Sequence, residues 1–169
     1  MTVYTTMASP LGELLLVGEE TTDGGVTLTS LSMPDQKKAA TVESGWRRDG
    51  APFADVVRQV AAYFDGTLTR FDLTFGTTGT DFQQRVWRSL EEIPYGTTTT
   101  YGDLTEQTGL PRRQAQAVAA AVGANPLLLV RPCHRVIGAD GTMRGYAAGV
   151  GRKTQLLGLE GALPAVPVS

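Results

Sequence analysis

An α+β fold in two parts is what the sequence predicts, with a small N-terminal α/β domain over residues 1–77 and a helical domain over residues 78–169. Three observations predict it. Short runs of alternating character dominate up to Phe75, Gly76-Thr77-Thr78-Gly79 interrupts them as a junction, and beyond it apolar residues recur at helical spacing between short loops.

In the N-terminal part, Val3–Met7 and Glu13–Val17 read as strands around Ser9-Pro10-Leu11-Gly12, which carries turn chemistry. Val26–Met33 follows Asp23-Gly24-Gly25 and alternates as a half-exposed strand does. Ala39–Ala51 is polar and irregular. Pro52 then opens a helix with Phe53, Val56, Val57, Val60, Ala61 and Phe64 on its apolar face, and Phe71, Leu73 and Phe75 alternate as a last strand.

After the junction, Thr80 and Gln83 form a capping box for a helix with Phe82, Val86, Trp87 and Leu90 as its buried stripe, stopping before Pro94. Thr100 with Asp103 starts a second, brief helix that ends at Gly109. A Gly-Leu-Pro connection leads to a third, Arg112 to about Val122, stopped by Gly123; two helices joined by such a corner make a helix-turn-helix pattern. Ala115, Ala117, Ala119, Ala120 and Ala121 leave the third helix slender enough to approach another surface closely, or to pack tightly inside the protein. Asn125-Pro126 makes a turn, Leu127–Val130 reads as a short buried strand, and Gly138-Ala139-Asp140-Gly141 as a tight turn. Arg152–Glu160 is a final helix closed by Gly161, and Pro164 and Pro167 mark a frayed tail.

A chain of 169 residues buries a working core without staples, and with one cysteine it forms no internal disulfide. A reducing, cytoplasmic setting is expected. No stretch reaches the roughly 20 apolar residues that span a bilayer, and no leader-like start is present, so the expectation is a soluble protein without membrane contact. Net charge is -2, but from Pro111 to Lys153 the basic residues are Arg112, Arg113, Arg131, Arg135, Arg144, Arg152 and Lys153 against Asp140 alone. That run reads as a phosphate-facing surface, or else as a solvated basic face.

Cys133 and His134 are the only cysteine and the only histidine, and they are adjacent. A free thiol titrates near ~8.5, so an aimed thiolate needs a base or a positive neighbour. Adjacent side chains diverge, so a proton passes between these two directly or through a water. An imidazole acting as base wants an acceptor on its other nitrogen, and Glu160 on the last helix is a candidate. The competing reading is a small core cysteine beside an incidental histidine. One cysteine and one histidine cannot close a structural zinc site, and neither a P-loop nor a strand-borne G-x-G-x-x-G is present, so no metal and no cofactor are expected.

The run Asn125-Pro126-Leu-Leu-Leu-Val-Arg-Pro132-Cys133-His134-Arg135-Val136-Ile137-Gly138 resembles the active-site signature of the O6-alkylguanine-DNA alkyltransferases. The resemblance extends from Gly79–Trp87 through Ile93-Pro94-Tyr95-Gly96 and Thr100-Tyr101-Gly102 to Gly145-Tyr146 and Leu156–Gly161. In the N-terminal part it rests on Ser9-Pro10-Leu11-Gly12. It implies an RNase H-like N-terminal domain followed by a winged helix-turn-helix-like one. It also implies a monomer that repairs double-stranded DNA by stoichiometric transfer of an alkyl group, methyl above all, from O6-alkylguanine and also O4-alkylthymine to Cys133.

In that scheme His134 activates Cys133 through a water, Glu160 orients His134, and Asn125 braces the turn presenting the cysteine. Tyr101 would contact the flipped base and its phosphate; Val136, Tyr146, Ala147 and Ala148 would line the guanine pocket. Gly102, Arg113, Gln116, Ala119 and Arg135 would meet the DNA along its minor groove. The chain departs from the family pattern in three places. Gln116 stands where the family has an arginine that fills the gap left by the flipped base. The turn before that helix is one residue longer, which offers Arg113 or Arg112 as substitutes, neither in register. The pocket loop reads Gly145-Tyr146-Ala147-Ala148-Gly149, where a smaller or hydroxyl-bearing residue and then glycine are expected; the zinc-bound N-terminal site of some relatives is also absent. Two other readings are weighed: a lesion-binding protein with weak or no transfer, as in the alkyltransferase-like proteins that lack the cysteine, and a cysteine hydrolase, for which no separate histidine or oxyanion motif exists.

Overall fold

A computed structural model describes residues 1–143 and 145–163; Arg144 and the tail containing Pro164 and Pro167 lie outside the described residues. The chain divides into two compact units. The first takes Met1–Thr78 together with Pro126–Val130, and the second takes Gly79–Asn125 and the chain from Arg131 onward. The segment 126–130, which the sequence placed in the second domain, therefore counts with the first.

In the first unit, strands β1 (Thr2–Met7), β2 (Leu14–Glu20), β3 (Val26–Ser32) and the short β4 (Arg47–Arg48) form one sheet in the order β3-β2-β1-β4. The β1–β2 and β2–β3 pairs are antiparallel; β4 runs parallel to β1. Register slips between Val17 and Gly18, where a Cβ would lie 2.4 Å from Val26 Cγ2, so the bulge requires glycine. Helix α1 (Ala54–Phe64) follows a 3-10 turn that carries Pro52, and Val3, Leu14, Leu16, Leu28, Phe53, Val60 and Tyr63 are buried.

Three expectations change here. Ala39–Ala51 is not wholly irregular, because Arg47 and Arg48 pair with Val3 and Tyr4. The apolar face of α1 turns to bury Gln59 and Tyr63, leaving Ala61 exposed. Phe71–Phe75 is not a strand: only Phe75 bridges Leu28, while the side-chain amide of Gln59 takes both the N–H and the carbonyl of Asp72, replacing the ladder a neighbouring strand would supply. Leu127–Val130 is buried as expected but is also not a strand. Leu127 makes a single bridge to Leu31, and Leu129 sits at φ 71°, a conformation unfavourable for a branched side chain and incompatible with extended backbone.

The second unit begins with α2 (Asp81–Glu91), whose capping box is complete: Thr80 Oγ1 accepts from Gln83 N, and Gln83 Oε1 accepts from Thr80 N. Strand β5 (Thr99–Thr100) enters α3 (Tyr101–Gln107), capped by Thr100 Oγ1 on Asp103 N. Arg85 reaches from α2 to the carbonyl of Thr108 and places a cation at the C-terminal end of α3. After a 3-10 turn at Arg112–Gln114 comes α4 (Ala115–Gly123), packed on α2 and α3. Its small residues let the buried indole of Trp87 donate to the carbonyl of Ala121 at 2.9 Å. The chain then passes a 3-10 turn at Cys133–Arg135, pairs β6 (Val136–Ile137) in parallel with β5, and ends in α5 (Val150–Leu159), which Gly149 enters at φ 98°.

Because the Thr80 cap satisfies the N–H groups that start α2, Thr80→Ala should cost about 1 kcal/mol of unfolding free energy. Urea titrations of the two proteins check this; coincident midpoints would mean that the cap contributes nothing.

Candidate active site

Cys133 and His134 sit in successive positions of the 3-10 turn, which opens on Cys133 N donating to Arg131 O at 2.7 Å. Three residues per turn aim adjacent side chains in different directions, so the pair does not face itself. His134 instead faces α5. Its Nε2 lies 2.7 Å from Glu160 Oε2, both side chains fully enclosed, and the same carboxylate accepts from Arg135 Nε at 2.8 Å and Nη2 at 3.1 Å. Arg135 Nη1 also donates to the carbonyl of Ile93 at 2.6 Å. Glu160 occupies the C-terminal cap of α5, where the helix dipole disfavours an anion, and the Arg135 charge offsets that penalty.

Burial pushes the His134 pKa down, against the opposing pull of Glu160. The ring is therefore neutral at pH 7, with Nε2–H donating to the carboxylate and Nδ1 left as an acceptor. Nδ1 has no protein partner among the described residues, which leaves the basic lone pair available. Tyr146 packs edge-on against the imidazole, with ring centroids 6.5 Å apart.

Burial raises the Cys133 thiol to about 11, against a hydrogen bond from the Asn125 side chain and the charges of Lys153 and Arg131. At pH 7 a thiol with that pKa is ionised in about one molecule in ten thousand. The resting sulfur is thus a protected thiol, and its reaction requires a base. Asn125 is itself buried and spans the loop that precedes the cysteine: its Nδ2 donates to Arg131 O at 3.0 Å, and Arg131 Nη1 returns a bond to Asn125 Oδ1 at 3.2 Å.

Cys133, His134, Glu160 and Asn125 thus assemble in one buried region. Val136 is buried in β6 and Ala148 is buried, while Tyr146 and Ala147 are half-buried on the loop before α5. Tyr101 opens α3 with Lys153 Nζ 5.9 Å from its ring centroid. Gly102 is half-buried where a Cβ would meet Arg112 Nη1 at 2.5 Å, and Ala119 is half-buried on α4. Arg113 and Gln116 are exposed.

Two expectations about charge are overturned. Arg135, expected at the DNA, is 8 % exposed with its guanidinium spent on Glu160 and Ile93, so it builds the site instead. Among its described residues the basic run is not a continuous exposed face: Arg131, Arg135 and Lys153 are buried, and Arg112 is held by Asp103 at 2.9 Å and Glu106 at 2.7 Å. Among the described residues of the run, Arg113 is the exposed cation that these ion pairs do not engage.

Chain-wide comparison places this arrangement. Residues 81–162 match the model of the 6-O-methylguanine DNA methyltransferase DNA-binding domain, and residues 2–77 match that of the ribonuclease-like domain of the same enzymes. The chain belongs to the 6-O-methylguanine DNA methyltransferase family. It is 46% identical over 160 residues to a methylated-DNA--protein-cysteine methyltransferase of Mycolicibacterium paratuberculosis, covering 95% of this chain and 93% of that one. It is 42% identical over 159 residues to one from Methanosarcina acetivorans, covering 94% and 98%. A crystal structure of Mycobacterium tuberculosis OGT in complex with DNA superposes with a TM-score of 0.85 at 45% identity, covering 96% of each chain. The α+β architecture expected from the sequence is that of this family.

Within this methyltransferase fold, sequence reasoning had placed Arg131 and Lys153 on the surface. Lys153 is fully buried on α5; its Nζ donates to Val136 O at 2.5 Å and Gly145 O at 3.3 Å, and burial lowers its pKa to about 8. The available signal was spacing: Lys153 lies three residues before Leu156 and four before Leu157, on the apolar face of α5.

The buried neutral histidine carries a pH signature. Its folded pKa lies below the unfolded value of 6.5, so the stability it contributes is fully present above pH 6.5 and is lost as pH falls below it. Unfolding free energy should drop by about 1 kcal/mol between pH 7.5 and 5.5, and His134→Gln should flatten that drop. Denaturant titrations at the two pH values check this; equal slopes with and without the imidazole would contradict it.

Proposed function

We propose that this chain repairs alkylated DNA directly and once per molecule. The alkyl carbon of O6-alkylguanine, or of O4-alkylthymine, bonds to Cys133 Sγ while its bond to the base oxygen breaks. The products are a stable thioether and the restored base. The thiol proton leaves through a water to His134 Nδ1, Glu160 holds the resulting imidazolium through Nε2, and the base takes up a proton as the carbon–oxygen bond breaks. The observation that carries this reading is the enclosed Cys133–His134–Glu160 arrangement, with Nε2 committed to the carboxylate and Nδ1 unoccupied by protein.

Double-stranded DNA is the partner. A cysteine only 4 % exposed cannot reach a stacked base, so the lesion must be flipped out at a cost of a few kcal/mol. Tyr101 meets the flipped base and its phosphate, and Val136, Tyr146, Ala147 and Ala148 line the pocket that receives it. Gly102, Arg113, Gln116 and Ala119 face the minor groove, with α4 as the entering element. The protein works as a monomer without a cofactor in the cytoplasm; no helix among the described residues is long and apolar enough to cross a membrane.

A lesion-binding role without transfer is the second reading, motivated by exposed Gln116 at the position of the family's arginine. Incubation with a duplex containing O6-methylguanine, followed by intact-protein mass spectrometry, separates the two. Transfer gives a gain of one methyl group that Cys133→Ala abolishes, whereas binding with no change in mass would sink the repair reading.

A further inference from the structure

Arg131 stands where the apolar run Leu127–Val130 would otherwise continue, and only 3 % of it is exposed. Burying a guanidinium is costly unless its charge and its donors are used. Three partners in the same unit use them. Nε donates to Glu91 Oε2 at 3.1 Å, Nη1 donates to Asn125 Oδ1 at 3.2 Å, and the guanidinium carbon lies 4.8 Å from the centroid of the Trp87 ring.

The second contact fixes an orientation. A side-chain amide offers an oxygen on one side and two N–H donors on the other. A cationic donor on Oδ1 leaves only one assignment, with Nδ2 turned toward Arg131 O and the Asn125 amide donating to the cysteine sulfur. We propose that Arg131 is a positioning residue for the acceptor sulfur: it locks the Asn125 amide with its N–H groups toward Cys133 and supplies a buried positive charge beside the forming thiolate. The proposal rests on the reading of Cys133 as the acceptor.

The charged groups around the sulfur allow the effect to be assigned. Arg131 comes from the preceding residues and Lys153 from α5. His134 and Arg135 are turned to Glu160, and Glu91 on α2 accepts from Arg131 Nε. Glu91 therefore partly neutralises the charge that the sulfur feels, and its side chain is 32% exposed, so it can be changed without opening the core.

The test reads the sulfur itself, as the pH at which iodoacetamide alkylates Cys133 at one fixed rate on the rising limb between pH 6 and 10, taken as the alkylation midpoint, beside single-turnover methyl transfer from duplex DNA. Arg131→Met should move the alkylation midpoint up by about one pH unit and slow transfer at pH 7.5 about tenfold. Arg131→Lys, which keeps the charge and loses the fork, should fall between Arg131→Met and the wild type. Glu91→Gln keeps an acceptor for Nε and unmasks the charge, so it should move the midpoint down. Opposite movements of Arg131→Met and Glu91→Gln establish the role. Superimposable profiles, or shifts in the same direction as general loosening would produce, overturn it. If Arg131→Met does not fold, an unchanged or raised midpoint in Glu91→Gln overturns it alone. Because iodoacetamide needs no DNA, a normal midpoint shift in a protein that transfers no methyl group would count against the repair reading and not against the role of Arg131.

Discussion

The Glu160 carboxylate, enclosed at the end of α5, is shared by His134 and Arg135. A charge buried there, at the unfavourable end of a helix, is offset by Arg135, which gives it two hydrogen bonds and a full positive charge. Its second oxygen then fixes the imidazole tautomer. Everything chemical about the site follows from that constraint: Nε2 is spent on Glu160, Nδ1 is the basic atom, and burial keeps the ring neutral and able to accept a proton. Losing Arg135 or Glu160 would leave the other as an uncompensated buried charge, so the orientation of the base and the integrity of the second unit depend on one contact.

Burial sets the opposite condition on the sulfur. A thiol raised to about 11 reacts slowly at neutral pH with small electrophiles, which suits a residue that acts once. Asn125, Arg131 and Lys153 lower the cost of the thiolate without removing it, and in the proposed reaction the basic Nδ1 takes the proton. The surface charge is correspondingly modest. Among the described residues, burial and ion pairing take most of the basic run between Pro111 and Lys153, so in the proposed repair reaction the approach to DNA would depend on the slender α4 and on Arg113 more than on a broad positive face.

Local rules made much of this legible. Thr80 with Gln83 and Thr100 with Asp103 announced their caps because a cap depends on residues three apart, and both are formed. Cys133 and His134 were forced as a pair by their uniqueness, while Glu160 was one candidate acceptor that spacing did not single out and that the family resemblance named. What sequence could not give depended on contacts distant along the chain. Gln59 pairing with Asp72 replaced a strand by side-chain hydrogen bonds, and Leu129 took a backbone conformation that no propensity favours. The same blindness put Arg131, Arg135 and Lys153 on the surface, since a cation is placed inside only by partners elsewhere, here Glu91, Glu160 and the carbonyl of Val136.

The most direct measurement of the central claim is a count. Protein is incubated with a large excess of radiolabelled O6-methylguanine duplex until transfer stops, and labelled methyl groups are counted per chain and located by peptide mapping. A plateau at one methyl per molecule, on the peptide containing Cys133, is what the buried thiol and its histidine–glutamate pair predict. Continued release of methyl product beyond one per chain, or label on any other residue, would contradict it.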